Sequence, residues 1–341
     1  MTYTANSSRY SYNNFKRCGD SGLDLPQITL GLWHNFGGNK LISESKKMIF
    51  RAFDRGVTHF DLANNYGPPY GSAESNFGKL MARDLKKYRD ELIISTKAGY
   101  DMWPGPYGEW GSKKYLTASL DQSLKRLKID YVDIFYSHRF DPNTPLEETA
   151  DALHRAVQQG KALYIGISSY SSNQTIKMNK LLKERGIKCL IHQPSYSMIN
   201  RWIEKDLLKT LSKLNLGCIV FSPLAQGMLS EKYLNKIPAN SRAKKNSSLD
   251  PKMITKNYKN KIINLKKIAQ NRNQSISQMA LAWVLRHKQV TSALIGARTL
   301  KQLDECLDSL NNLKFSKNEL NSIDKYAKEE NINLWATSSK N

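Results

Sequence analysis

Short apolar runs, rich in β-branched and aromatic residues, alternate along the chain with longer stretches in which apolar side chains recur every three or four positions. The short runs fall at 28–33, 58–63, 92–97, 131–138, 162–168, 190–193, 218–222 and 292–296, and each is expected to be a strand. Helices are expected at 43–55, 73–84, 115–127, 146–159, 172–184, 203–213, 277–287 and 300–311. In the fourth of these, Leu146, Ala150, Leu153 and Val157 mark an apolar face. Its start carries Thr144, Pro145, Glu147 and Glu148, where orphan N–H groups and the helix dipole favour such residues. Strands alternating with helices feed a parallel sheet, and eight strands close an α/β barrel of the (β/α)8 TIM type. Two further helices, near 257–270 and 317–329, exceed the eightfold pattern. No Pro/Gly/Ser linker or repeat divides the chain, which reads as one domain over 1–341, with 1–16 a flexible lead and 331–341 a tail.

Two segments interrupt the rhythm, 100–112 and 229–251, and both follow strands. In a barrel such loops lie on the C-terminal face, where active sites are built. The same rim should collect Asp61 from the second run, Lys97 and His138 at the ends of the third and fourth, and Tyr66 from the loop after the second. Such a quartet suits protonation of a carbonyl oxygen while a hydride arrives from a cofactor. Lys97 is expected to draw the Tyr66 phenol down toward working pH, with Asp61 holding the ammonium. His138 is expected to position the carbonyl and stabilise its developing charge. Alone, each residue is as well explained by an ion pair or a satisfied core histidine; four on one rim are harder to dismiss.

Composition adds limits. Of 341 residues, 40% are hydrophobic and 24% charged, enough apolar material for a core. The 52 Lys and Arg against 30 Asp and Glu give a formal charge of +22, which raises nucleic acid as a partner. Yet the excess is lysine spread over helix faces, as at Lys252, Lys256, Lys259, Lys266 and Lys267, with no nucleic-acid-binding signature beside it. No nucleic-acid partner is expected. Cys18, Cys189, Cys218 and Cys306 form no CxxC pair or ligand cluster, so no metal site is expected and a reducing cytoplasm fits best. No apolar leader and no run of roughly 18 apolar residues suggests export or a membrane span. Glycine-rich phosphate loops are missing too: no GxGxxG follows a strand, and Gly71 to Gly78-Lys79-Leu80 has the wrong spacing for a Walker loop. Tyr12 and Lys16 match a YxxxK pattern, best read as chance.

Longer strings carry a resemblance. Thr58-His59-Phe60-Asp61-Leu62-Ala63-Asn64-Asn65-Tyr66-Gly67, Ile94-Ser95-Thr96-Lys97 and Asp133-Ile134-Phe135-Tyr136-Ser137-His138 look like the three active-site motifs of aldo-keto reductases. The likeness runs over 17–335 and is nearest the branch that includes potassium-channel β-subunits. It implies that Tyr66 is the proton donor, assisted by Lys97, Asp61 and His138, with Trp33 and Trp103 also at the substrate. It implies an extended NADPH, with nicotinamide near Trp33, Asp61, Ser168 and Gln193. Ser222, Leu224, Gln226 and Lys232 resemble the loop over the pyrophosphate, and Arg242 a position near the phosphates. Gly296, Arg298, Gln302, Glu305 and Cys306 resemble the grip on the adenosine end. The implied substrates are small aldehydes, L-glyceraldehyde 3-phosphate and methylglyoxal among them, and the implied assembly is a homo-oligomer, a tetramer or larger. The alternative is an NADPH-binding regulatory subunit, but channel subunits commonly carry Asn where His138 stands, which favours a working reductase.

Overall fold

A computed structural model describes residues 3–11, 15–239, 241, 243–244 and 249–327. Arg242, Tyr12, part of the 229–251 loop, the end of the helix expected at 317–329 and the tail at 331–341 lie outside them. A hairpin of β1 (Phe15–Arg17) and β2 (Asp24–Pro26) precedes eight parallel strands. These are β3 (Ile28–Gly31), β4 (His59–Asp61), β5 (Ile93–Ala98), β6 (Val132–Ser137), β7 (Ala162–Ser168), β8 (Cys189–Gln193), β9 (Gly217–Val220) and β10 (Ser292–Ile295). They close in the order β10-β3-β4-β5-β6-β7-β8-β9, the TIM barrel that eight apolar runs predict. Several predicted runs are longer than their strands because backbone pairing continues into the rim: Leu62 N–H donates to Ser95 C=O, Asn64 N–H to Lys97 C=O and His138 N–H to Ala98 C=O, each at 2.9 Å.

The helices α1 (Ile42–Asp54), α2 (Ser72–Leu80), α3 (Lys113–Leu127), α4 (Leu146–Gln158), α5 (Ser172–Glu184), α6 (Leu207–Leu214), α7 (Lys256–Asn271), α8 (Ile276–Leu285), α9 (Leu300–Leu307) and α10 (Lys317–Tyr326) follow the apolar periodicity. Side-chain caps set several starts: Ser171 with Gln174, Ser275 with Gln278 and Ser316 with Glu319 form reciprocal capping boxes. Helix α4 has no such cap; Pro145 precedes it, and Glu147 and Glu148 face its N-terminal dipole. Three expected helices are shorter or broken. The one at 73–84 gives way after Leu80 to a π turn at Met81–Leu85. The one at 203–213 is interrupted at Asp206, whose φ of −149° is not helical, and the last tightens into a 3-10 turn at Asp308–Asn311.

The hairpin covers the barrel floor. Cys18 and Leu25 pack with Ile134, Tyr136, Leu190, Ile191, Ile219 and Leu294 inside the barrel. Contact there is close enough that a Cβ on Gly217, the first residue of β9, would lie 2.3 Å from Cys18 Sγ. Residues 3–11 lie along the outside: the Tyr3 ring stacks on Phe50 at 3.7 Å, and its hydroxyl donates to Asp54 at 2.7 Å. Among the described residues no helix is long and apolar enough to cross a membrane, and no three His, Cys, Asp or Glu side chains gather as metal ligands.

Candidate active site

Side chains alternate across a strand, so His59 and Asp61 of β4 and Ser95 and Lys97 of β5 point into the barrel while Phe60 and Ile94 join the outer core. Lys97 and Asp61 are fully buried. The Lys97 ammonium donates to the Asp61 carboxylate, and to the Leu62 carbonyl at 2.7 Å. The other carboxylate oxygen accepts from Ser95 Oγ at 2.7 Å and from Gln193 Nε2 at 3.3 Å. Tyr66 brings its hydroxyl from the loop after β4 to 3.5 Å from Lys97 Nζ. The His138 ring stands edge-on to Tyr66, with centroids 6.0 Å apart, and to Tyr100 at 4.7 Å. All four expected residues therefore meet on one rim.

Electrostatics assign each group a protonation tendency. Burial pushes the Tyr66 phenol well above its usual range, and the Asp61 carboxylate and Tyr100 add to the rise. The direction is opposite to the lowering expected from Lys97, because burial is the largest influence on this phenol. Burial also pulls Lys97 below its ordinary value, against the opposing pull of Asp61. His138 is held well below the imidazole range by burial, Lys97 and Arg139, and among the described residues its buried Nδ1 has no hydrogen-bond partner. The rim thus carries a protonated phenol and a neutral imidazole beside a buried ion pair, a set able to give a proton to an oxygen that is gaining negative charge.

Trp33 stacks on Tyr66 at 5.9 Å and walls one side of the site. Trp103, from the loop at 100–112, packs on Tyr115 at 5.1 Å. Ser168 and Gln193 end the paired strands β7 and β8; Ser168 Oγ donates to the Gln193 carbonyl at 2.8 Å, and the Gln193 amide reaches Asp61. Ser222, Leu224, Gln226 and Lys232 follow β9 in a loop whose backbone turns left-handed at Ser222, Ala225, Gln226 and Gly227. Beyond β10, no atom of the described residues lies within 4 Å of where a Cβ on Gly296 would stand. Arg298 is exposed there, its N–H donating to the Gln302 side chain at 3.0 Å. The orphaned His138 Nδ1, the open cradle at Gly296 and these donors fit a dinucleotide laid from the rim toward the start of α9. Two positions are drawn elsewhere: Glu305 accepts from Ser275 Oγ at 2.6 Å, and Cys306 is turned into the core at 4% exposure.

Sequence reading overlooked His59 and Ser95, which stand two residues before Asp61 and Lys97 on the same inner faces. That spacing was the available signal. Arg139, the residue after His138, is held as a structural pair and not left free as an anion anchor. The guanidinium donates to Glu109 at 2.7 Å and to the Gly99 carbonyl at 2.8 Å, and lies 3.5 Å from the centre of the Trp110 ring. It is built into the wall.

The aldo/keto reductase family model matches residues 27–328. Two proteins named L-glyceraldehyde 3-phosphate reductase, from Escherichia coli strain K12 and from O157:H7, are each 57% identical over 344 residues, covering 99% of this chain and 99% of the relative. A probable voltage-gated potassium channel subunit beta from Oryza sativa subsp. japonica is 34% identical over 312 residues, 87% of this chain and 90% of that protein.

Proposed function

The chain belongs to the aldo/keto reductase family, and on that footing we propose that this oxidoreductase reduces small aldehydes and ketoaldehydes to alcohols with NADPH, L-glyceraldehyde 3-phosphate and methylglyoxal being its substrates. The observation that carries the reading is the buried Lys97, held by Asp61 and set against the Tyr66 hydroxyl. Bound at the rim, NADPH would be the source of the hydride for the carbonyl carbon. Tyr66 gives its proton to the carbonyl oxygen; a developing alkoxide is far more basic than a phenolate, so even a phenol with a raised pKa transfers downhill. Lys97 then faces the phenolate left behind and stabilises it. Neutral His138 presents an imidazole to the carbonyl without adding a second cation beside Lys97. Trp33 and Trp103 flank the substrate and limit water.

Ser168 and Gln193 would hold the nicotinamide end, Ser222, Leu224, Gln226 and Lys232 the pyrophosphate, and Gly296, Arg298 and Gln302 the adenosine end. The planar Arg298 suits a 2′-phosphate and hence NADPH over NADH. The substrate choice rests on the reductase relatives and their 57% identity. Cytoplasmic residence and a homo-oligomer of four or more chains belong to the same proposal. The test is steady-state NADPH and NADH oxidation with a panel of phosphorylated and plain aldehydes, with Tyr66→Phe alongside. Equal turnover by wild type and Tyr66→Phe would remove the assigned acid. A regulatory NADPH-binding role, the alternative carried by the channel-subunit likeness, predicts one fast turnover and then slow release; sustained turnover rejects it.

A further inference from the structure

Beneath the ion pair a line of polar side chains crosses the barrel interior. Ser292 Oγ lies 2.8 Å from Thr29 Oγ1, Thr29 Oγ1 3.1 Å from His59 Nδ1, His59 Nε2 2.9 Å from Ser95 Oγ, and Ser95 Oγ 2.7 Å from Asp61. All five are fully buried, and they belong to β10, β3, β4 and β5. Distances alone leave the direction of each hydrogen bond open, but the chemistry at the end of the line does not. A carboxylate paired with an ammonium can only accept, so Ser95 spends its one proton on Asp61. Ser95 must then accept from His59, which puts the imidazole proton on Nε2. The bare Nδ1 accepts from Thr29, and Thr29 in turn accepts from Ser292. Every donor points toward Asp61.

We propose that His59 is a positioning residue for the reduction: in its Nε2–H form it sets the direction of the Ser292–Thr29–His59–Ser95 line, which fixes the Asp61 carboxylate and, through it, the Lys97 ammonium against Tyr66. The proposal rests on the reading of Tyr66 and Lys97 given above. Aligned bonds in a dry interior polarise one another, so the carboxylate meets a stronger donor than an isolated serine. The imidazole must stay neutral for this, and burial holds it there, pulling it down to about 4; Asp61 and Lys97, the charged groups facing it, act in opposite senses.

Three measurements on the full-length protein test it. The first needs no turnover: in nitrogen-15 histidine spectra, the signal lost in His59→Gln should show an Nε2–H tautomer that is unchanged between pH 8 and 6. An Nδ1–H tautomer, or an imidazolium at pH 7, would reverse the line and overturn the proposal. The second is kinetic: His59→Leu should lower kcat roughly 10–100-fold with KM for aldehyde nearly unchanged, the scale on which losing an orienting group beneath a catalytic ligand is felt. His59→Gln, whose amide can donate to Ser95 and accept from Thr29, should recover most of kcat. Equal kcat in wild type and His59→Leu overturns the proposal, as does a Gln variant no better than Leu. Third, should His59→Leu fail to fold, Ser95→Ala carries the measurement, with the same kcat loss expected and a wild-type kcat overturning the idea. Tyr66→Phe separates the two readings: full activity there condemns the acid assignment whatever the tautomer shows, whereas an inactive Tyr66→Phe beside a fully active His59→Leu condemns only the role of His59.

Discussion

The ammonium nitrogen of Lys97 lies 3.5 Å from the Tyr66 hydroxyl and 4.9 Å from the centre of its ring, with Asp61 bonded on its other side. One buried cation therefore faces two groups, the Asp61 carboxylate and, in the proposed mechanism, the phenolate that Tyr66 becomes. Lys97→Met should lower kcat by about 10²–10⁴, the scale of lost acid–base support. It should also cost about 3–5 kcal/mol of stability, because it strands a buried carboxylate. Adding Asp61→Asn should restore most of that stability and none of the activity. Urea unfolding and steady-state kinetics on the two variants check this; additive stability losses would show that the pair is not coupled.

Buried imidazoles give the protein a pH-dependent stability. Burial pulls His59 and His192 down to about 4, and burial, Lys97 and Arg139 hold His138 well below its usual range. The unfolded chain binds protons at these sites near pH 6.5 and the folded chain does not, so unfolding takes up protons below that pH. Stability should be full above about pH 6.5 and fall as pH drops toward 4, by about 1 kcal/mol per pH unit for each histidine. Unfolding free energies at pH 7, 6 and 5 test this above the range in which unfolded carboxylates titrate. A flat profile would mean that these rings are charged or solvated in the fold.

Arg139 is held by Glu109 and stacked on Trp110, its planar fork already committed. Arg139→Ala should therefore raise KM for phosphorylated and unphosphorylated aldehydes by the same factor, through loosening of the loop at 100–112. A loss confined to the phosphorylated substrate would return the residue to the role of anion anchor.

Gly166 of β7 leaves room for a ring from the neighbouring strand β6. A Cβ there would lie 2.3 Å from Cε1 of Tyr136, a fully buried ring whose centre is 5.7 Å from Lys97 Nζ. Gly166→Ala should destabilise by about 1–3 kcal/mol, the usual cost of overpacking a filled core, and disturb turnover by shifting that ring. Tyr136→Leu in the same chain should recover part of the stability, as read by thermal unfolding; no recovery would place the strain elsewhere.

The barrel was legible because its signal is repeated: eight apolar runs bounded by turns, two of them ending in the ionisable Lys97 and His138. Asp61, Lys97 and His138 declared themselves by standing at strand ends, since a parallel barrel brings all such ends to one rim. The hairpin at the floor was not legible, since three-residue strands such as Phe15–Arg17 carry no period. Nor was the packing of Tyr3 on Phe50, which joins residues 47 positions apart. Cys306 shared a motif with Glu305, but successive helix positions face different ways, and one turned into the core. The direction of the Tyr66 shift is set first by burial, with Asp61 and Tyr100 adding to it, and a string of letters does not show burial.

The four thiols acquire a meaning once the substrate class is considered. Cys18, Cys189, Cys218 and Cys306 are all free and buried, and burial pushes the last three up to about 12. The attacking species in sulfur chemistry is the thiolate, and these sulfurs are neither ionised nor reachable at neutral pH. With the substrates proposed above, the protein is thereby spared hemithioacetal formation at its own thiols. Chemical ageing would fall instead on the abundant surface amines.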